Sequence, residues 1–271
     1  MTQRKRKNRK WVIVRDVVLA LVIIGAVFLL LWLAVRSIFN LGGTDIAKNE
    51  YHPEAFYQEG GFLHYGGGDH LIGVDVSEHQ KEIDWNGVKA AGAEFAILRA
   101  GYRGYTEGGL YEDEFFRENY EGAKAAGLQV GVYFFSQAVD EKEAREEAMY
   151  VCQLVEDCQL ELPVYFDWEM INDSPRIDSP ADVPLTECAV AFCEIVEEAG
   201  YDAGVYFNQS YGYFRFDLGE LQDYNLWLAE YNDIPEFRYH FHCLQYTNAG
   251  KVEGITGDVD LDILFLTETE D

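Results

Sequence analysis

Basic residues are scarce in this 271-residue chain, which contains 21 Lys and Arg against 48 Asp and Glu. Eight of those 21 lie within the first 36 residues, so the remainder carries a net charge of about −34. Nucleic-acid phosphates would be repelled by such a surface, which argues against a nucleic-acid partner. The simplest role of the acidic surface is solubility.

Cysteine is also sparse, with five residues between positions 152 and 243. Their spacing matches no zinc-binding pattern. An oxidising compartment would permit disulfides, but five is an odd number and the sequence identifies no pair. Most of these cysteines are expected to be small core side chains.

A long apolar run occurs near the N-terminus, from Val17 to Val35. At 1.5 Å per residue this run spans about 28 Å, which is enough to cross the hydrocarbon core of a bilayer. Most nearby Lys and Arg precede it, so residues 1–16 are expected to be cytoplasmic and the body extracellular. The alternative is a cleaved signal peptide, whose apolar region would normally be shorter and end in small residues. We therefore predict a single-pass cell-membrane protein with a transmembrane helix over residues 17–35.

Residues 36–68 are predicted to form a linker, because they are rich in glycine and show no sustained periodicity. Their aromatic residues are more numerous than a plain linker needs, so some rings are expected to pack on the following domain, residues 69–271. These aromatic residues are Tyr51, Phe56, Tyr57, Phe62 and Tyr65.

From Leu71 onward the sequence alternates between strand and helix patterns. Helices are predicted over residues 85–91, 112–126, 141–157 and 185–199, and three strands without long helices follow the fifth strand. This alternation is typical of an α/β fold with parallel strands. Eight strands indicate closure into an irregular TIM-like barrel, and the short late connections predict at least one antiparallel strand.

The segment PVYFDWEM, residues 163–170, ends an apolar strand with two acids. Asp167 and Glu169 are two positions apart and therefore share a face. Like charges held on one face repel each other, which is useful to an enzyme that needs one protonated and one ionised acid.

Further polar and aromatic residues fall at or near the predicted strand ends, where barrels of this type collect their chemistry. If the barrel closes, the eighth strand lies beside the first, so Asp260 is expected to approach Asp75. Carboxylates combined with aromatic rings suit sugar binding. The predicted substrate-binding residues are Tyr102, Tyr133, Asn208, Trp227, Tyr231 and Gln245.

Hydrolysis of a glycosidic bond requires a proton donor for the leaving oxygen. Glu169 is the candidate acid, because its longer side chain reaches further into the cleft and neighbouring carboxylates would raise its pKa. Asp75, Asp167 and Asp260 are expected to remain mostly ionised.

Four motifs occur in order along the chain, and they resemble those of the glycoside hydrolase family 25 lysozymes, which are N-acetylmuramidases. The motifs are GVDVSEHQKEIDW (73–85), FDWE (166–169), WLAEY (227–231) and LQYTNAGKVEGITGDVDLD (244–262). The resemblance covers residues 69–271. It implies a (β/α)5(β)3 barrel that hydrolyses the β-1,4 bond after N-acetylmuramic acid in peptidoglycan glycan strands, without a metal or cofactor.

The same resemblance implies roles for four acids, Asp75, Asp167, Glu169 and Asp260. Glu169 would act as acid and later as base in a retaining reaction, with the acetamido oxygen of the substrate as nucleophile and Asp167 stabilising the intermediate. Asp75 and Asp260 would hold and polarise their neighbours and the sugar.

Two positions depart from the family pattern. Lys81 stands where the family often has Gly, and Leu244 where it often has Trp, which alters sugar contacts but not the acids. Two alternatives remain open: a non-catalytic glycan-binding module, or a hydrolase of another N-acetylated glycan such as chitin. The sequence names no protein partner.

Overall fold

The structure is a computed structural model that describes residues 46–172 and 174–266, together with Gly25, Val27 and Leu31. The chain divides into one unit over residues 1–45 and a second over residues 46–271. Except for those three residues, which are helical, the predicted transmembrane helix lies outside the described residues. Among the residues that are described, no helix has the length and apolarity needed to cross a bilayer.

Eleven strands and six α-helices form the described part of the second unit. The strands are β1 (Phe56–Glu59), β2 (Phe62–Tyr65), β3 (His70–Val76), β4 (Phe95–Arg103), β5 (Leu110–Glu112), β6 (Gln129–Ser136), β7 (Val164–Trp168), β8 (Ala203–Asn208), β9 (Asn225–Ala229), β10 (Cys243–Gly250) and β11 (Val259–Phe265). The helices are α1 (Trp85–Ala90), α2 (Phe116–Ala125), α3 (Glu141–Leu154), α4 (Leu185–Glu198), α5 (Gln209–Phe214) and α6 (Leu218–Leu221).

Eight of these strands close into a barrel in the order β3-β4-β6-β7-β8-β9-β10-β11, with β11 pairing back to β3. The pairings from β3 through β10 are parallel, whereas β11 is antiparallel to both of its neighbours. The predicted barrel of eight strands with a late antiparallel strand is therefore confirmed. The reversal follows from the short connection between β10 and β11, which is too short for a parallel crossover.

The helices agree with the sequence analysis in number and order up to β8, and differ beyond it. Residues 110–112 form β5, a short hairpin partner of β4, so α2 begins at Phe116 rather than at Glu112. The sequence analysis ended the helices after β8, but α5 and α6 follow that strand. Asn208 Oδ1 accepts the Tyr211 backbone N–H at 3.0 Å at the start of α5, and Asp217 Oδ1 accepts the Gly219 N–H at 3.0 Å at the start of α6. Such side-chain caps allow short helices to form.

Side chains of the barrel strands alternate between two separate apolar cores. The inner core fills the barrel with residues that include Phe95, Ile97, Tyr165 and Trp227. The outer core lies between the strands and the helices. This alternation determines which strand residues can reach the barrel mouth.

The described part of the predicted linker, residues 46–68, is packed on the barrel instead of forming a tether. It contains a short 3-10 helix, Pro53–Ala55, and the β1–β2 hairpin. The Tyr51 hydroxyl donates to the Phe241 carbonyl at 2.8 Å, and the Tyr51 ring stacks on Phe265 with centroids 3.9 Å apart. The glycine content of this segment predicted a linker, but burial of its aromatic rings holds it against the barrel.

Candidate active site

Four acids line one cavity of about 460 Å³ at the mouth of the barrel: Asp75, Asp167, Glu169 and Asp260. Asp75 and Asp167 lie near the carboxyl ends of β3 and β7, and Glu169 follows β7 directly. Asp260 is the second residue of β11, and because that strand is antiparallel its beginning lies at the same rim. Asp260 pairs directly with Asp75 across the two strands, as the sequence predicted.

Strand β7 directs its two acids into the cavity by simple alternation. Tyr165 belongs to the inner core, whereas Phe166 and Trp168 belong to the outer core. The Trp168 indole N–H donates to the Ala138 carbonyl at 2.9 Å on that outer side. Asp167 and Glu169 therefore face the barrel mouth together.

The two carboxyls of this pair have different surroundings. Asp167 is 4% exposed, and no donor reaches its Oδ1 within the described chain. Glu169 is exposed at the cavity mouth, but the cavity walls displace enough water to raise the pKa of its carboxyl. Burial, followed by the charge of Glu169, raises the pKa of Asp167 well above its usual value, and Arg99 opposes this increase.

The pKa values of the two acids on β3 and β11 are raised as well. Burial and then the charges of Asp262 and Asp260 raise the pKa of Asp75 well above its usual value, against a hydrogen bond from Gln245. Burial and then Glu169 raise the pKa of Asp260 to about 6.

The sequence analysis expected Asp75, Asp167 and Asp260 to stay mostly ionised, and these directions reveal an influence on their pKa values that it left out. The expectation considered repulsion between acids, but burial is the largest influence on each of them. Loss of hydration disfavours every ionised carboxyl in the cavity, not Glu169 alone. The acids therefore titrate as an interacting set.

Gln245 connects two tyrosines to Asp75 beneath the cavity surface. Its Oε1 accepts hydrogen bonds from the hydroxyls of Tyr206 and Tyr231, each at 3.1 Å. Its Nε2 donates to Asp75 Oδ2 at 2.8 Å. Gln245 is 4% exposed, and this contact orients Asp75 at the cavity. Because Gln245 also lines the cavity, its role in substrate binding stays a prediction.

The other predicted binding residues fall into three groups. Tyr102 and Tyr231 line the cavity with accessible rings, and Tyr102 lies against Tyr111 with centroids 5.5 Å apart. Tyr133 and Trp227 also line it, but Trp227 is 1% exposed and forms part of the floor, so it offers no face for stacking. Asn208 lies outside this cavity, in a neighbouring one of about 390 Å³ that shares Glu169 and Tyr231.

Sequence reasoning missed two residues that line the cavity, Tyr206 and Arg99. Tyr206 pairs with Asp167 across β8 and β7, and its inward direction follows from the alternation of β8. Arg99 Nε donates to Asp113 Oδ2 at 2.7 Å, and its Nη2 lies 2.9 Å from Glu78 Oε1. A charged residue inside the apolar strand FAILRA was the available signal for Arg99.

Comparison with known proteins agrees with this fold. The model of glycosyl hydrolases family 25 matches residues 74–255, and the chain belongs to that family. It is 29% identical over 194 residues to the autolytic lysozyme of Clostridium acetobutylicum, covering 71% of this chain and 55% of that protein.

Solved structures of two other proteins have a similar fold. The modular autolysin LytC from Streptococcus pneumoniae superposes with a TM-score of 0.66 at 25% identity, covering 78% of this chain and 52% of that one. A family 25 glycosyl hydrolase from Bacillus anthracis superposes with a TM-score of 0.61 at 21% identity, covering 84% and 96%, and supports the fold alone. The chain thus spans about half the length of the Clostridium lysozyme and of LytC.

Proposed function

We propose that this protein is a peptidoglycan muramidase that hydrolyses the β-1,4 bond between N-acetylmuramic acid and N-acetylglucosamine. The observation that carries the proposal is the meeting of Asp75, Asp167, Glu169 and Asp260 in one open cavity. Membership of family 25 supports it. LytC, which this chain resembles, has also been solved in complex with a synthetic peptidoglycan ligand.

In this proposal Glu169 is the general acid. Its carboxyl faces the solvent of the cavity and retains its proton to a higher pH than an ordinary glutamate. It would protonate the leaving glycosidic oxygen as that bond breaks, and then remove a proton from the attacking water.

The substrate's own acetamido oxygen would attack the anomeric carbon in the first step, as in other substrate-assisted retaining enzymes. Asp167, beside Glu169 on β7, would orient the acetamido group and stabilise the positive charge of the resulting oxazolinium-like intermediate. Asp75 and Asp260 would hold the sugar from the opposite side of the cavity. Water would then open the intermediate with retention of configuration.

A single digestion tests this activity. The full chain, purified in a mild detergent, is incubated with cell-wall sacculi, and the released glycans are identified by mass spectrometry. Products with muramic acid at the reducing end are expected, whereas reducing N-acetylglucosamine ends would refute the bond assignment. Absence of products from several wall types would favour a glycan-binding module, and release from chitin instead would favour the other hydrolase.

The matched variant tests the assigned acid. Glu169→Gln keeps the shape of the side chain but cannot donate the proton, so product release is expected to fall about 10²- to 10⁴-fold. Glu253→Gln, an exposed change elsewhere on the barrel, is the control. Undiminished release by Glu169→Gln would refute the role of this residue.

We also propose that residues 17–35 anchor the protein in the cell membrane, with the N-terminus cytoplasmic and the barrel extracellular. The support is the apolar run and the basic residues before it. Extraction of the native protein should then require detergent. Release by high salt alone would contradict the anchor.

A further inference from the structure

Asp262 lies directly beneath the acids of the cavity and is fully buried. Its Oδ1 accepts the Trp227 indole N–H at 2.9 Å. In the described part of the protein, no N–H or hydroxyl donor reaches its Oδ2. A fully buried ionised carboxylate with one oxygen left without a donor is costly, so this oxygen requires a proton or a proton-bearing neighbour.

The neighbour that meets this requirement is Asp75. Asp262 pairs with Gly73 across β11 and β3, and Asp75 lies two residues further along β3 on the same face. A side-chain hydrogen bond between the Asp75 and Asp262 carboxyls is among the influences on the pKa of both aspartates. Two carboxyls can make such a bond only when one of them carries a proton.

The surroundings of the pair are acidic or neutral. The titratable groups that act on either aspartate, or on which one of the two acts, are Asp260, Cys243, Tyr133, Tyr165, Tyr206, Tyr231 and Tyr246. No cation is among the main influences on the pKa of either aspartate. Two adjacent buried carboxylates without a cation cannot both be ionised at moderate cost.

We propose that Asp75 and Asp262 hold one proton between them, and that Asp262 is a positioning residue that fixes Asp75 for catalysis. Gln245 binds Asp75 Oδ2 from β10, while Asp262 binds the same side chain from β11. Together they hold Asp75 in one rotamer and keep the total charge of the pair at −1. The positioning role rests on the proposed muramidase function, whereas the shared proton does not.

Infrared spectroscopy of the full chain in detergent at neutral pH tests the shared proton without substrate. Asp75→Asn and Asp262→Asn should each remove one carbonyl band of a buried protonated carboxyl. The double variant should remove no second band. Loss of two bands in the double variant, or of none in either single variant, would overturn the shared proton.

Activity against sacculi as a function of pH tests the positioning role. Asp262→Asn keeps a donor for Asp75 and an acceptor for Trp227, so its activity at neutral pH should stay within a few-fold of the parent. Its fall in activity at alkaline pH should move upward, because an amide does not lose a proton. Asp262→Leu provides neither contact, so its activity should fall at least tenfold below that of Asp262→Asn.

Asp258→Asn is the matched control, since Asp258 is exposed and pairs with Lys251 at 2.7 Å on the surface. Circular dichroism of each variant checks that it is folded. A folded Asp262→Asn protein as inactive as Asp262→Leu, or one with the pH profile of the parent, would refute the positioning role. If the infrared result holds but neither the parent nor any variant digests sacculi, the proposed function fails while the shared proton stands.

Discussion

Two groups of buried acids in this protein differ in how well their charges are compensated. Glu147 of α3 is fully buried, and its carboxylate accepts hydrogen bonds from Arg103 Nε and Ser136 Oγ, each at 2.6 Å. At the barrel mouth, by contrast, Asp167 and Asp262 each have one oxygen that no donor reaches within the described residues. The first arrangement holds a helix against the barrel, whereas in the second Asp167 lines the cavity and keeps one oxygen available to a ligand.

The difference separates a structural acid from an acid that lines a ligand-accessible cavity. A structural carboxylate is stable when its hydrogen-bonding capacity is filled by its own chain. An active-site carboxylate must leave part of that capacity for the substrate, at some cost in stability. The predictions below test this contrast.

The largest effect is expected when an incompletely compensated acid is changed. Asp167→Asn should lower the rate of glycan release about 10²- to 10³-fold, because the carboxyl that would orient the acetamido group and stabilise the intermediate is lost. Its melting temperature should not fall, since an amide is cheaper to bury than a carboxylate. Sacculus digestion and thermal unfolding measure the two quantities. A marked loss of stability with little loss of rate would place Asp167 with Glu147 instead.

Breaking the compensated group should have the opposite effect. Arg103→Met leaves Glu147 buried without its cation and should lower the free energy of unfolding by about 3–5 kcal/mol. Adding Glu147→Leu should recover much of this loss. Arg117→Met, which removes exposed ion pairs with Glu112 and Asp157, should cost no more than about 1 kcal/mol. Urea unfolding of the four proteins gives the comparison, and equal losses for Arg103→Met and Arg117→Met would contradict it.

Both groups should also make stability depend on pH in the same direction. Burial outweighs the hydrogen bonds from Ser136 and Arg103 and raises the pKa of Glu147 from 4.5 to about 7, and burial raises that of Asp260 from 3.8 to about 6. The folded protein therefore binds more protons than the unfolded chain within these ranges, and stability decreases as pH rises through them. The melting temperature should therefore rise as the pH is lowered from 8 to 5.

The variant Glu147→Gln separates this effect from the general acidity of the surface. It removes one of the raised carboxyls and should flatten the dependence of melting temperature on pH. Glu253→Gln, an exposed change, should not. A melting temperature that rises from pH 5 to pH 8 in the parent would show that these carboxyls are ionised in the folded state.

The smallest effect is expected at the aromatic wall of the cavity. Tyr102→Ala removes an accessible ring beside the acids and should raise KM several-fold, equivalent to about 1 kcal/mol, with little change in kcat. Tyr57→Ala is a suitable control because Tyr57 is 46% exposed and does not line the cavity. Equal KM values for the two variants would exclude Tyr102 from binding.

Part of the fold and site could be predicted because the signals are local. The alternation of residues 164–169 placed Asp167 and Glu169 on one face, and barrel closure placed Asp260 beside Asp75. The helices after β8 were missed because they depend on caps such as Asn208 Oδ1, which the sequence analysis had assigned to substrate binding.

The ionisation of the acids could not be predicted from spacing. It depends on how completely each carboxyl is buried and on which donors reach it, and these contacts join residues far apart in the chain. Gln245 and Asp75, for example, are 170 positions apart. The packing of residues 46–68 has the same origin, since Tyr51 contacts Phe241 and Phe265.

The sequence by itself determined the order of the eight barrel strands and of the four helices before β8, the faces of the strands and the family resemblance, because periodicity and motifs are properties of neighbouring residues. The tertiary structure decided which acids meet, which of their oxygens receive donors and how their pKa values move. The physical reason is that hydration and hydrogen bonding of a carboxyl depend on every chain segment that surrounds it.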